Sequence, residues 1–277
     1  MIPVWNQMVS ALPLEWAQYG FMQNALLAVL LVTPLLALLG CLVINHQMAF
    51  LSEAIGHSTL TGLAVGVLLG LREPVAAVIG FSLLLGILVV CLRRFSAVSM
   101  DTAIALLMAC VVSLGVVLLS RGGGFSRYSR YLVGDILTLS DAEIVRLAVL
   151  LGLVVLIWRL FFNSLFLVHL NRTLAASRGF GVARAEAGFS ILVALVVAVA
   201  MPWVGLLVIN AMLILPAAAA RNLARNTRQY TVMAVLFGMV SGVLGLVTSF
   251  YANTATGATI ALWSSGFFVL SIFLRRR

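Results

Sequence analysis

Residues 20–44 read GFMQNALLAVLLVTPLLALLGCLVI and contain no charged side chain. A helix of about 20 apolar residues is long enough to cross the hydrocarbon core of a bilayer. Backbone N–H and C=O groups in lipid must be bonded within the segment, which restricts a single run of this kind to a helix. The stretch therefore predicts a transmembrane helix.

More apolar runs of similar character follow along the chain. The stretch 187–220 is too long for one ordinary span and is interrupted at Met201-Pro202, which indicates either two short passes or one span plus a re-entrant segment. We predict an all-α fold, a polytopic membrane helix bundle of eight or nine transmembrane helices that forms a single transmembrane domain over residues 1–277. The further runs are 48–70, 75–92, 101–120, 141–163, 187–203, 204–220, 231–250 and 256–274.

The composition excludes an ordinary soluble protein. Hydrophobic residues make up 63% of the chain and charged residues only 9%, against about 25% charged in a typical soluble domain. So few charges cannot cover a water-facing surface, so the remaining surface must face the lipid bilayer. The first twenty residues hold Glu15 and no basic residue, unlike the start of a signal peptide, so the first apolar run is expected to be a retained span.

The basic residues predict the orientation. All 17 are arginine; on a soluble chain this excess would suggest nucleic acid, but here the arginines lie in short loops between apolar runs, so no nucleic-acid partner is expected. Placing 93–100, 159–186, 221–230 and 275–277 in the cytoplasm puts 12 of the 17 arginines there. This favours an outer N-terminus and a cytoplasmic C-terminus.

Segment 164–186, SLFLVHLNRTLAASRGFGVARAE, is basic and amphipathic. It is typical of a short helix followed by a turn at Gly179 and Gly181. Such a helix either lies on the membrane surface or docks a cytoplasmic partner, and the pattern alone favours neither.

A carboxylate and an imidazole lie inside the second apolar run. Glu53 and His57 are four residues apart and so share one face of a helix. They follow Gln47 by six and ten residues, which places them about 9 and 15 Å into the span. Ionisable side chains are costly within a bilayer and usually mark a functional pathway.

Three interpretations of this pair remain open. An oxygen and a nitrogen ligand together suit divalent zinc, manganese or iron. A Glu–His hydrogen bond could instead fix the packing of helices. The same pair could also relay protons, as in pumps.

Other polar and small residues in the runs favour structural roles. Asp101 begins a run, as an acidic residue at a helix N-terminus does, while Asn210 and Asn253 are candidates for a path or a gate. A ladder of small residues at four-residue spacing predicts close packing of a neighbouring helix; it comprises Ala54, Ser58, Gly62, Gly66 and Gly70.

Soluble-enzyme motifs are absent from the sequence. It contains no HExxH and no GxSxG. Since the chain has no lysine, it cannot contain a GxxxxGK[ST] phosphate-binding loop. The chain is therefore not expected to be an enzyme, and any ATP hydrolysis that drives it would belong to a separate subunit.

Four stretches of the sequence resemble those of one known protein family. The run MAFLSEAIGHSTLTGLAVG at 48–66 resembles the F-x-x-D-A-x-x-H-A-x-x-x-G signature of the metal-type ABC permeases, which import zinc, manganese or iron. VGLLVINAMLILPAAAARNLAR at 204–225 is similar to that family's VG-x-L-L-V-x-A-L-L-I-x-P-A-A-x-A-R block. Two looser matches are RYLVGDILTLS at 130–140 and LAASRGFGVARAEAGFS at 174–190. The resemblance extends from about residue 20 to residue 274.

The resemblance implies a permease of the bacterial inner membrane, with no resident cofactor and a divalent metal ion as cargo. It implies a second permease copy around a central path, with Glu53 and His57 touching the ion. A metal-binding protein outside would deliver the ion, and two ABC ATPase subunits inside would dock on segment 170–186. The docking residues would be Leu174, Ala175, Gly179 and Gly181.

This sequence departs from the family pattern at several positions. Glu53 stands at the position of the family's Asp, so the carboxylate arm is longer by one methylene, and Asn253 replaces an Asp in the outer turn. Asn45-His46-Gln47 replaces basic residues before the signature. A proton-coupled secondary carrier that uses Glu53 and His57 as a relay is the alternative function.

Overall fold

The computed structural model describes residues 2–11, 13–71, 75–95, 98–122, 136–170 and 181–274. Within these ranges all regular secondary structure is helical. The α-helices are α1 (Ile2–Ser10), α2 (Gly20–Asn45), α3 (Leu51–Leu68), α4 (Val75–Phe95), α5 (Met100–Gly122), α6 (Asp141–Leu170), α7 (Val182–Val204), α8 (Leu206–Leu223), α9 (Thr227–Ala252) and α10 (Thr256–Phe273). Two short 3₁₀ helices are Glu15–Gln18 and Ile136–Thr138.

Nine of these helices coincide with the nine predicted apolar runs. Among the described residues, seven helices are long and apolar enough to cross a membrane, and a shorter apolar stretch, Ala76–Leu92, lies in α4. Helix α3 is as long as α10 but carries Glu53, His57 and several hydroxyl side chains, which lower its hydropathy. The all-α, multi-pass architecture and its count of eight or nine helices agree with the prediction.

Three boundaries differ from the expected ones. The break in 187–220 falls at Gly205, whose φ of 87° only glycine adopts easily, while Pro202 stays inside the last turns of α7. Residues 164–170 continue α6, and Val182 already begins α7. The amphipathic helix α1 was not predicted; its Trp5 Nε1 donates to the Gln23 carbonyl at 3.0 Å.

The chain divides into two compact units. The first comprises Met1–Cys41, Asp135–Arg159 and Trp203–Arg277, and the second comprises Leu42–Gly134 and Leu160–Pro202. In the first unit glycines allow close helix contacts, because a Cβ at Gly245 of α9 would lie 2.5 Å from Ile260 Cα of α10. A Cβ at Gly40 of α2 would overlap the backbone carbonyl of Leu213 in α8.

The second unit groups α3, α4, α5 and α7. Leu63, Val78 and Ala198, from α3, α4 and α7, form a buried apolar cluster. Gly86 of α4 faces α7, where a Cβ would meet the Ser190 carbonyl oxygen at 3.3 Å. This unit holds the helix that bears the candidate site.

Candidate functional site

Helix α3 carries both ionisable side chains of the candidate site. Glu53 stands in its first turn, and His57 follows one turn later. Both residues are half-buried. A spacing of four residues puts their Cβ atoms about 5–6 Å apart on the helix surface, which is close enough for one ion to contact both.

The structure shows no hydrogen-bond partner for Glu53 or His57 among the described residues. Within the part of the chain that the structure describes, Glu53 and His57 make no hydrogen bond or ion pair with each other. Across the described ranges there is also no group of three or more His, Cys, Asp or Glu side chains that could hold a metal ion. The pair therefore offers two ligands, one carboxylate and one imidazole, from this copy of the chain.

The rest of α3 is unusually polar for a buried helix. Ser52, Ser58, Thr59 and Thr61 are all buried. The Ser58 and Thr59 hydroxyls donate to the Ile55 carbonyl of their own helix at 2.7 and 3.2 Å. The Ser58 and Thr59 hydroxyls therefore satisfy their hydrogen bonds within α3 and do not bind a neighbouring helix.

The small-residue ladder behaves differently along its length. A Cβ at Gly62 would lie 3.0 Å from Val78 Cα of α4, so this position permits close helix packing. Ser58 is buried beside it, and so is Gly66. Gly70 lies beyond the end of α3 with φ 68° and no atom within 4 Å of a built Cβ, so it shapes the turn and does not pack against a helix.

The connection between α2 and α3 lies against residues of α7. The His46 ring packs on Phe189 with centroids 5.3 Å apart, and the Ser190 hydroxyl points at Met48 Sδ at 3.7 Å. His46 belongs to the Asn45-His46-Gln47 stretch, where the sequence departs from the family's basic residues. Sequence reasoning did not connect the two segments because they are far apart in the chain.

The remaining sequence candidates occupy separate places. Asn210 is half-buried in α8, and its Oδ1 has no hydrogen-bond partner among the residues that the structure describes. Asn253 ends α9 in the left-handed conformation, with φ 48°. Of the expected docking residues, Leu174, Ala175 and Gly179 lie outside the described residues, and Gly181 immediately precedes α7.

Comparison with known proteins assigns nearly the whole chain to one family. The model of the ABC 3 transport family matches residues 18–275. The chain belongs to this family. The match covers all nine apolar helices, so the chain is a multi-pass membrane protein of the ABC transporter class.

Two relatives and one solved structure show how far the likeness extends. The zinc uptake membrane protein ZnuB of Haemophilus influenzae is 32% identical over 91% of this chain and 97% of its own length. The manganese import permease ScaB of Streptococcus gordonii is 32% identical over 92% of each chain. The structure of PsaBC from Streptococcus pneumoniae in complex with Fab superposes with a TM-score of 0.78, at 28% identity, over 99% of this chain and 96% of that one.

Proposed function

We propose that this chain is the membrane-spanning permease subunit of an ATP-binding-cassette importer for divalent metal ions, with zinc and manganese as the favoured cargo and iron as a third candidate. The observation that carries the proposal is the Glu53–His57 pair on a helix of a chain that the ABC 3 family model matches over residues 18–275. ZnuB is named for zinc uptake and ScaB for manganese import, and both align along almost the entire chain.

The pair supplies an incomplete coordination shell. Zinc in proteins usually takes four ligands, and one copy of the chain offers two. A second permease copy, facing the first across a central path, would bring a second Glu53 and His57 and complete four. Binding must also be weak enough to release the ion, which fits a pair that is half-exposed and not locked by further ligands.

The energy source lies outside this chain. With no lysine, the sequence cannot form the ATP-binding loop that ABC ATPases use. Cytoplasmic ATPase subunits would dock on the basic segment 164–186, and the closure of the ATPase pair would alternate access to the ion. A metal-binding protein on the outer face would deliver the ion to the permease.

The orientation has support from helix directions. Helices α3 and α5 run parallel, because the start of each lies near the start of the other and their middles are in contact. Parallel α3 and α5 require α4 to cross back between them, so both helices start on the same side of the membrane. The arginine distribution then favours a cytoplasmic C-terminus in the bacterial inner membrane.

Reconstitution with the partner ATPase tests the proposal. We expect vesicles that contain permease and ATPase to accumulate zinc or manganese when ATP is supplied on the ATPase side, and to stop when ATP is withheld. An imposed proton gradient without ATP is the matched control. Accumulation driven by that gradient alone, and indifferent to ATP, would replace the importer with a proton-coupled carrier.

A further inference from the structure

One buried hydrogen bond joins α3 to α5. Thr61 Oγ1 donates to the Val111 carbonyl at 2.8 Å, and Thr61 has no exposed surface. A threonine in a helix ordinarily bonds a carbonyl of its own preceding turn, as Thr59 does on the same helix. Thr61 instead gives its hydrogen bond to the neighbouring helix.

Glycines at the contacts of α3 with α5 and with α4 allow these helices to pack this closely. A Cβ at Gly115 of α5 would overlap Thr61 Oγ1 and lie 3.4 Å from Thr61 Cα. On the other side, Gly62 sits against Val78 of α4. Helix α3 is therefore held closely by α4 and α5 at the level of Thr61.

A second contact lies at the start of the same two helices. The Asp101 carboxyl group in the first turn of α5 interacts with the backbone N–H of Phe50, the residue before α3 begins. This contact pairs positions about 50 apart in sequence, as the Thr61–Val111 contact does. The two contacts are separated by about 15 Å along the helices and keep the same register.

Thr61 also belongs to the face that bears the candidate site. Glu53, His57 and Thr61 follow one another at four-residue spacing, and residues at that spacing lie on one side of a helix. Whatever fixes the rotation of Thr61 therefore fixes the direction of Glu53 and His57. A slip by one residue would turn the pair by about 100°.

We propose that Thr61, the Val111 carbonyl and Gly115 form a register lock between α3 and α5, and that Thr61 is a positioning residue for Glu53 and His57. The inference rests on the proposed function only for what the pair binds. The lock makes α3 and α5 one rigid pair during transport. Asp101 supports the same register at the start of α3.

Uptake kinetics test the positioning role. Thr61→Val keeps the shape and removes the donor, so we expect the metal concentration at half-maximal uptake to rise about three- to tenfold, the range that corresponds to one hydrogen bond. Thr61→Ser keeps a hydroxyl and should restore uptake to near the original level. Thr59→Val is the matched control, because it removes a hydroxyl that bonds only α3 itself.

Equal kinetics for Thr61→Val and Thr59→Val would overturn the lock. A loss in Thr61→Val that Thr61→Ser fails to rescue would also overturn it. Gly115→Ala provides a second route, since a methyl group there displaces Thr61, whereas Gly80→Ala of α4 has no atom within 4 Å of its new Cβ. The lock predicts impaired uptake in Gly115→Ala alone.

A spin-label measurement tests the lock without any transport. Leu68 at the end of α3 and Val117 of α5 are exposed and stand at matching heights in the proposed register. After replacement of Cys41, Cys91 and Cys110, labels at these two sites should keep one distance in the nucleotide-free and ATP-bound complex. A distance that changes with nucleotide would refute the rigid pair. Failure of the unsubstituted permease to move metal would refute the proposed function and leave this distance test intact.

Discussion

Helices α3 and α9 pack against their neighbours through the same kinds of contact, but the two helices carry different side chains. Each has glycines that let a neighbour approach, Gly62 in α3 and Gly245 in α9. Each is tied to its neighbour by a threonine hydroxyl: Thr61 donates to Val111, and Thr259 of α10 donates to the Gly245 carbonyl at 3.0 Å. Glycine and hydroxyl contacts therefore belong to the general architecture of the bundle.

The two helices differ in what else they carry. Helix α3 holds the half-buried Glu53 and His57, whereas the sequence of α9 has neither an acidic residue nor a histidine. Close packing alone does not require ionisable groups in a membrane, where they are costly. We therefore propose that α3 carries the transport chemistry and that α9 contributes to stability. Substitutions in the two helices can separate these roles.

The largest effect is expected at Glu53 and His57 of α3. Glu53→Ala and His57→Ala should each lower metal uptake by tenfold or more, on the order of 1.4 kcal/mol or above, because each removes one ligand of the cargo. Uptake of radioactive zinc or manganese, normalised to permease in the membrane, measures this. Glu15→Ala, at an exposed carboxylate outside the spans, is the control and should behave as the unsubstituted protein; normal uptake in both site variants would remove the pair from the path.

The next effect belongs to α9 and concerns stability. Gly245→Ala places a methyl group against the Ile260 backbone, and overpacking of this kind costs about 1–3 kcal/mol. We expect a lower thermal unfolding temperature in detergent, with unchanged metal preference in the protein that remains folded. Gly266→Ala, where a Cβ meets nothing within 4 Å, should unfold like the original; a shift in metal preference for Gly245→Ala would contradict the division of roles.

A smaller effect is expected from the length of the carboxylate arm. Glu53→Asp withdraws the carboxylate by one methylene, which should favour the larger manganese ion over zinc by about threefold, on the order of 0.6 kcal/mol. Competition between the two ions in one uptake assay gives this ratio. The ratio would stay constant if the Glu53 side chain did not touch the ion.

The smallest effect on uptake is expected at a helix cap in α9. The Asn226 side chain accepts the Gln229 N–H at 2.8 Å, and loss of an N-cap costs about 1 kcal/mol. Asn226→Ala should lower the unfolding temperature slightly, and Asn226→Asp should not. Uptake kinetics identical to those of the original protein would accompany both changes.

The sequence predicted the helices well because a long apolar run in lipid can satisfy its backbone hydrogen bonds on its own only as a helix. All nine runs are helices, and most ends differ by only a few residues. The stretch 187–220 forms two helices that separate at Gly205, where φ is positive, whereas the predicted interruption was at Met201-Pro202. Pro202 and Gly205 are both helix breakers, so the sequence alone did not distinguish them. Helix α1 was missed because nine residues with mixed polarity carry no membrane signal.

The site was only partly accessible to sequence reasoning. Spacing alone placed Glu53 and His57 on one face, since a four-residue interval on a helix needs no tertiary information. The hydrogen bond from Thr61 to the Val111 carbonyl joins residues 50 apart in the sequence, so no local sequence pattern predicts it. The four-residue continuation from Glu53 through His57 to Thr61 was the available signal. Gly70 shows the converse, because its place in the small-residue ladder predicted packing, while the structure has it in the turn after α3.

The most direct test is X-ray absorption spectroscopy at the zinc edge on the purified, zinc-loaded permease–ATPase complex. The account predicts a first shell of oxygen and nitrogen at about 2.0–2.2 Å, with the outer scattering of an imidazole that disappears in His57→Ala. A spectrum in which the imidazole signal is unchanged by His57→Ala would show that zinc binds elsewhere and would contradict the central role given to α3.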